Sequence, residues 1–567
     1  MAKKRLLAVV MVVVLLFVVA CSNNNNTPSQ TPGGGDSATT SGNGQAGSGE
    51  QTGITYPNQD KYEEGAYTLP IVSEPLELVW MGRDAEDAGK SFLTHESIIW
   101  TENEKNTGIS IKWDVVPNSE YQETMQMRLA SGRDLPDILA IVGTADGSHL
   151  VKYAEDGLLM PLNDLIDRYA PNLKRMFEEN PAFLRGSTLP DGTIRSLGNL
   201  MNSKFLTRGV SVRKDWLDEL GLQPPTTPDE LLDVARAFVN NDPNRNNKKD
   251  EYGIMTVSWG EYRQLGMMFG LSLVTGSGWS VRDGVVTYEY TLPAYKAYLE
   301  WMHQAYSEGL IPRDFQTSTR AIMNERDFAN QLGIKARENV HQHIVFNDPN
   351  GTVKQNTPEA IWMPLNFKDS GYGVAYPTEH TANIWRSYGI TSNAKDPIAA
   401  IRLLDYIMAG EGRFDNVNGI EGLTYNMVNG KPLQVPNVQE VIGPTRFLGG
   451  NFGPRIIDDN DTTNLFELQY MQDDPEMREW SIRVAEEAAA NAYVPFMPAI
   501  PSIEEADRIT KLYSDLDTYR DEMFIKFVTG QESLDNFDRY VEQMKSLGYE
   551  EIAAIYQAGY DRQQAAQ

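Results

Sequence analysis

The chain of 567 residues contains one cysteine, which excludes an internal disulfide and any zinc or iron–sulfur site built on several thiolates. Histidine is scarce as well. The six are scattered, no His-Glu-x-x-His pair occurs, and His341 with His343, which would share one face of a strand, have nothing nearby to complete a metal set. There is no Gly-x-Ser-x-Gly elbow. Gly82 to Ser91 ends in Gly-Lys-Ser, but its two glycines stand too far apart for a phosphate cradle. Cations are the minority charge: 50 Lys and Arg against 78 Asp and Glu give a net −28, which argues against a nucleic-acid partner. Only residues 6–19 form a long apolar run, and it is short for a membrane span.

What is present begins with that run. Lys3, Lys4 and Arg5 precede it, and Val18-Val19-Ala20-Cys21 follows, the layout of a signal peptide cleaved before a cysteine that receives diacylglycerol and palmitate-type acyl chains. An ordinary secretory signal with a chance cysteine is the alternative. On the first reading residues 1–20 are removed, and Cys21 anchors the protein on the extracellular face of the cell membrane. From Ser22 to Gly53 there is no Val, Ile, Leu, Met, Phe, Trp or Tyr. Such a tract cannot bury enough surface to offset chain entropy, so 21–66 reads as a disordered leash, with a reach of roughly 30 Å for its flexible part.

The remainder has an ordinary globular balance, 41% apolar and 23% charged, and is long enough for two or more domains. Leu76 to Met81, residues 110 to 116 and residues 137 to 142 read as strands with helices between and after them, which predicts an α/β body with a parallel sheet. Ligands of such sheets bind beyond the carboxyl ends of the strands. Helix starts are marked at Thr227-Pro228-Asp229-Glu230 and at Ser502 with Glu505; a further helix runs through Phe537, Val541 and Met544 to Gly548.

After the Thr227 helix the sequence reads Asp-Pro-Asn-Arg-Asn-Asn-Lys-Lys-Asp-Glu-Tyr-Gly over 242–253. Asp242, Asn244, Asn246 and Asp250 place oxygens at alternate positions, Lys248 can add its carbonyl and Glu251 can close the shell. Ca²⁺ favours such a set of hard oxygens at flexible angles. Asn247 stands where an EF-hand has glycine, and a strand follows instead of a helix. A polar loop of Asx turns without an ion is the alternative. An ion here would be structural, clamping a helix end to the next strand.

Ordered segments carry a family resemblance: Ala130-Ser131-Gly132-Arg133-Asp134-Leu135-Pro136-Asp137-Ile138, Val212 to Leu222 (VRKDWLDELGL), Pro225 to Leu231 (PTTPDEL), the 242–251 loop and Pro501 to Asp507 (PSIEEAD). In order and spacing, over about 70–550, the chain resembles the family 1 extracellular solute-binding lipoproteins of bacterial ABC importers, particularly the calcium-containing alginate-oligosaccharide binders. The resemblance implies a two-lobed, periplasmic-binding-protein-like (type II) α/β clamshell with hinge crossings. It also implies Ca²⁺ on Asp242, Asn244, Asn246, Lys248, Asp250 and Glu251, an oligosaccharide ligand and ABC permease partners. We expect a monomer, with lobe 1 at 67–195 and 365–425 and lobe 2 at 196–364 and 426–567.

Sugars present apolar C–H faces and hydroxyl rims, so binders combine aromatic platforms with polar side chains. Trp216, Trp301 and Trp480 sit in amphipathic helical surroundings and read as core. Trp259, Trp279 and Trp385, in loop-like stretches, are the stacking candidates. Arg83 and Asp84 follow the first strand, and Glu261 and Tyr262 accompany Trp259. The expected function is non-enzymatic capture of an oligosaccharide for import. The competitors are a lipid-anchored polysaccharide hydrolase or lyase working through two carboxylates, and a peptide-binding importer component.

Overall fold

The computed structural model describes residues 54–565 except 85–89, 144–146, 203–207, 274–276, 340–341, 348–350, 369–370, 378–381, 429–430, 436–437, 450–452, 455, 459–474, 494–495 and 497. The signal segment, Cys21 and the leash up to Gly53 lie outside the described residues. Ten strands matter for the site: β1 (Leu76–Arg83), β2 (Ile109–Val116), β3 (Ile138–Val142), β4 (Leu197–Asn202), β5 (Arg208–Arg213), β6 (Tyr252–Met255), β7 (Leu332–Asn339), β8 (Trp362–Pro364), β9 (Ala382–Ile390) and β10 (Ile456–Asp458). They form a six-stranded sheet in the order β10-β4-β9-β3-β1-β2 and a four-stranded sheet in the order β8-β5-β7-β6.

The three strands expected from alternation are β1 to β3, paired parallel with Trp80 opposite Trp113. The sheets as a whole are mixed, where a parallel sheet was expected. β9 runs antiparallel to both β3 and β4, and β5 antiparallel to β7 and β8. The reason is the path of the chain. β9 enters the first sheet on returning from the second, so it starts at the edge where β3 and β4 end.

Each sheet has its own core. Leu78, Trp80, Ile109, Ile138 and Leu139 of the first sheet pack with Tyr121, Met125 and Leu404, all buried. Val210, Val212, Ile254 and Ile334 of the second pack with Leu231, Phe238, Tyr298 and Phe524. These cores fit the two-lobed expectation, but its boundaries move. β4 and β10 hydrogen-bond into the first sheet, so the first lobe extends to Asn202 and includes 456–458.

The predicted caps are in place. Thr227 Oγ1 accepts from the Glu230 amide at 3.2 Å and turns the apolar face of Pro228–Asn240 onto the second core. Ser502 and Glu505 form a reciprocal capping box at the head of Ile503–Thr529. The expected leash of 21–66 is corrected at its far end: Gln59–Lys61 form a 3₁₀ turn and Tyr56 is buried in the first core, so 54–66 already pack on the first lobe. Tyr62 Oη donates to Asp396 at 2.9 Å and Tyr67 Oη to Asp405 at 2.8 Å. Asp405, fully buried, also accepts from the Leu173 amide at 2.7 Å; burial pushes its carboxyl up despite these donors. Among the described residues no helix is long and apolar enough to cross a membrane.

Candidate functional site

Strand direction defines where the lobes meet. In the first sheet Arg83, Val116, Val142, Asn202 and Asp458 end their strands at the edge where β9 begins at Ala382. In the second, Met255, Asn339 and Pro364 end at the edge where β5 begins at Arg208. The chain passes from Asn202 to Arg208 through five residues, so these two edges lie at most about 20 Å apart there. A second crossing joins Pro364 to Ala382, from the same edge to the same edge. These two crossings, and a third between Asp458 and the Pro475–Ala490 helix packed on the second core, join the lobes, and the crossings at the carboxyl edges mark the region where α/β sheets place ligands.

Arg83 ends β1 and donates to Asn118 Oδ1 at 3.0 Å; Asp84 follows and accepts from the Phe92 amide at 2.9 Å. Both are half-buried at the first edge. In the second lobe Trp259 and Glu261 lie on the 3₁₀ segment Trp259–Phe269 that follows β6. The Trp259 ring is half-buried, tilted 6.1 Å from Phe524 with the Arg263 guanidinium 5.3 Å above it. Trp385 belongs to β9, where the pairing with β4 jumps between Asn383 and Ser387. The shift leaves Ile384 and Trp385 unmatched on the β4 side while Arg386 stays opposite Val142 of β3, and irregularities of this kind re-aim side chains next to functional sites; the Trp385 side chain lies outside the description.

Two candidates are corrected. Tyr262 is fully buried, with its hydroxyl on the Ile254 carbonyl at 3.2 Å and its ring edge-on to Phe315. Trp279 is 2% exposed, donates to Tyr513 Oη at 2.8 Å and lies 4.5 Å from the Tyr288 ring. Both are core of the second lobe. Burial raises the phenol of Tyr262 far above its ordinary range. His343 lies on the helix Gln342–Asn347, not on a strand, and pairs with Ser481 Oγ at 2.7 Å; His341 is outside the described residues. Sequence reasoning passed over Arg208 and Arg386, which the topology puts at the two edges, because nothing local marks them.

The 242–251 loop lies at the opposite end of the second sheet, before β6. Its oxygens are turned inward: Asp242 accepts from the amides of Asn246 at 3.0 Å and Asn247 at 2.8 Å, and Asn246 Oδ1 from that of Lys248 at 2.7 Å. Arg245 and Asn247 take left-handed backbone angles of 56° and 58°, which asparagine tolerates well. Asn244 Nδ2 donates to the Asn330 carbonyl at 2.8 Å and Gln331 Nε2 to Asp250 at 2.8 Å, tying the loop to the start of β7. Among the described residues no group of three or more His, Cys, Asp or Glu side chains is gathered as a metal site. One feature fits a cation nonetheless. Glu251 is 7% exposed, its Oε1 is buried without a hydrogen-bond partner, and burial, with Asp250 and Asp242 nearby, pushes its carboxyl up.

Comparison with known proteins agrees with this architecture. Residues 92–322 match the bacterial extracellular solute-binding protein family. The fructooligosaccharide ABC transporter substrate-binding protein FusA of Streptococcus pneumoniae is 24% identical over 520 residues, 83% of this chain and 88% of that protein. The chain is homologous to FusA, an ABC transporter substrate-binding protein. Among solute-binding proteins of known structure, alginate-binding protein AlgQ2, solved without calcium ion, superposes with a TM-score of 0.65 at 22% identity over 87% of this chain and 99% of that one. An EF-hand mutant of FusA bound to fructo-nystose does so at 0.66 and 23% identity, over 87% and 100%. Lipoprotein LipO of Bacillus subtilis is 27% identical over 244 residues, 41% of this chain and 44% of that protein. Two structures of the same fold are thus distinguished by a calcium ion or an EF-hand, and FusA is a substrate-binding protein of a transporter.

Proposed function

We propose that this protein captures an oligosaccharide between the two facing carboxyl edges and hands it, chemically unaltered, to the permease of an ABC importer. The observation that carries the reading is the crossing of the chain between the two carboxyl edges, with Arg83 and Asp84 at the end of β1 on one lobe and Trp259 and Glu261 after β6 on the other. A ligand touching both lobes then favours the closed state by its differential affinity for it. FusA and AlgQ2, named for fructooligosaccharide and alginate, support a carbohydrate over a peptide. In this reading Cys21 carries the lipid anchor outside the cell, a tether that the LipO likeness supports. The leash then reaches the first lobe at its Tyr62 and Tyr67 fastenings, and the second lobe is the one that swings. Ca²⁺ belongs in the 242–251 loop, held by Asp242, Asn244, Asn246, Lys248, Asp250 and Glu251, where it would supply the counter-charge that Glu251 lacks.

Differential scanning fluorimetry of the purified protein with fructo-, galacturono- and malto-oligosaccharides tests capture. A rise of several degrees is expected with one class at a concentration well above its Kd, and chromatography afterwards is expected to recover the sugar intact. Shortened products would replace the carrier reading with the hydrolase or lyase. A shift produced by peptides alone would replace the carbohydrate.

A further inference from the structure

After its third crossing the chain does not stay in the second lobe. Ile500, 3% exposed, belongs to the core of the first sheet, and Ile503 packs against that core. Ile503 also opens the helix Ile503–Thr529, whose later inward positions, Ile509, Leu516, Phe524 and Phe527, belong to the core of the second sheet. From Ile503 to Ile509 is about 9 Å of helix, so one rigid element changes lobes within two turns. The helix lies beside Ser148–Glu155, whose Leu150 and Val151 are first core. It also lies beside Pro293–Ser307, whose Tyr298 and Leu299 are second core.

Just ahead of the helix the same segment grips the second lobe. Phe496 sets its ring edge-on to Tyr556 at 6.2 Å and to Tyr560 at 6.3 Å, both on the last helix, Tyr549–Ala565. Ile552 and Tyr556 of that helix are second core. Ala499 lies so close that a Cβ on the buried Gly559 would stand 3.1 Å from its own. Glu505 accepts from Arg562 of this last helix at 3.4 Å while closing the capping box with Ser502. Two consecutive residues, Ala499 and Ile500, thus pack on different lobes, and the cap fixes the angle at which the chain enters the helix between them. Lobes joined only by crossings of the chain move relative to each other; an apolar contact made to both at once restrains that motion.

We infer that Phe496, Ala499, Ile500 and Ile503 staple the two lobes together, so that opening is a turn about this point and the lobes cannot part there. Such a staple acts whatever the ligand is. Hydrogen exchange of the full chain, read by mass spectrometry, tests it. Ile500→Ala is expected to raise exchange about tenfold or more in both Ser148–Glu155 and Tyr549–Ala565. Asn163–Tyr169 and Pro228–Asn240, which pack within one lobe each, are expected to keep their rates. Ile500→Val should act in the same places to a smaller extent. Leu516→Ala cuts into the second core alone, so it should loosen Tyr549–Ala565 and leave Ser148–Glu155 as it was. A rise after Ile500→Ala on one lobe only, an equal rise in all four helices, or no rise overturns the staple. X-ray scattering reads the motion: the free Ile500→Ala protein is expected to show a larger radius of gyration than wild type, and an unchanged value overturns the restraint on opening.

Discussion

Lys335→Ala is expected to lower the melting temperature of the second lobe by roughly 10 °C. Lys335 and Asp327 are 1% and 2% exposed, with Nζ 2.5 Å from Oδ2. Asp327 Oδ1 is buried without another partner, so truncating the lysine strands a carboxylate in the protein interior. Breaking a buried pair in this way costs about 3–5 kcal/mol, and each kcal/mol moves the midpoint of a domain this size by about 2–4 °C. The reverse change should be milder. Asp327→Ala leaves the ammonium 3.7 Å from the Phe346 ring centre and 4.0 Å from that of Trp362, and both rings stabilise a cation. Replacing both partners with Met and Leu should restore most of the stability, since an apolar pair of similar volume avoids desolvation. Scanning calorimetry of the three variants reads this order directly. Equal, small shifts would mean that water reaches the pair. The consequence bears on the site, because Lys335 sits on β7, whose far end at Asn339 belongs to the carboxyl edge. Exposed pairs such as Lys105–Glu102 should show no such effect.

Much of the scaffold could be read before any coordinates. Helix starts at Thr227 and Ser502 rest on local hydrogen-bonding chemistry, and a cap of that kind needs no distant partner. The three strands β1 to β3 announced themselves by apolar runs and alternation. Strand direction did not, because alternation is the same whichever way a strand runs; β9 is antiparallel only because the chain returns to the first sheet from the second. Trp279 and Tyr262 misled for a related reason. Glycine and serine around Trp279 suggest a loop, yet Tyr513, more than two hundred residues later in the chain, covers it. Arg386 was equally invisible, since its place at the edge depends on β9 pairing with β3 from the far side of the chain. The 242–251 loop could be singled out from the spacing of its oxygens. What spacing could not give is the burial of Glu251, which now makes the loop testable by the sign of an effect.

Chelation is the test. In about 1 mM Ca²⁺ the proposed ion, bound a hundredfold above its Kd, would stabilise the fold by about 2.7 kcal/mol; EDTA is then expected to lower the melting temperature by several degrees. Asp250→Ala should abolish the response to EDTA. It should also lower the starting stability, because Asp250 accepts from Asn246 at 3.0 Å and from Gln331 at 2.8 Å. Glu251→Gln separates an ion from a bare polar loop more sharply. Without an ion, the Glu251 carboxylate is a buried charge beside Asp250 and Asp242 with one oxygen unmatched, and burial already pushes its carboxyl up. Neutralising it at constant shape would then raise stability, with or without EDTA. With an ion in place the same substitution removes a charged ligand, so stability in Ca²⁺ should fall and the gap between Ca²⁺ and EDTA should narrow. The two accounts predict opposite signs from one isosteric change. A Glu251→Gln protein that melts higher than wild type in Ca²⁺ would sink the ion and leave the loop as a set of Asx turns. One that melts lower in Ca²⁺, yet level with or above wild type in EDTA, would fix the cation as the clamp between the Pro228–Asn240 helix and β6.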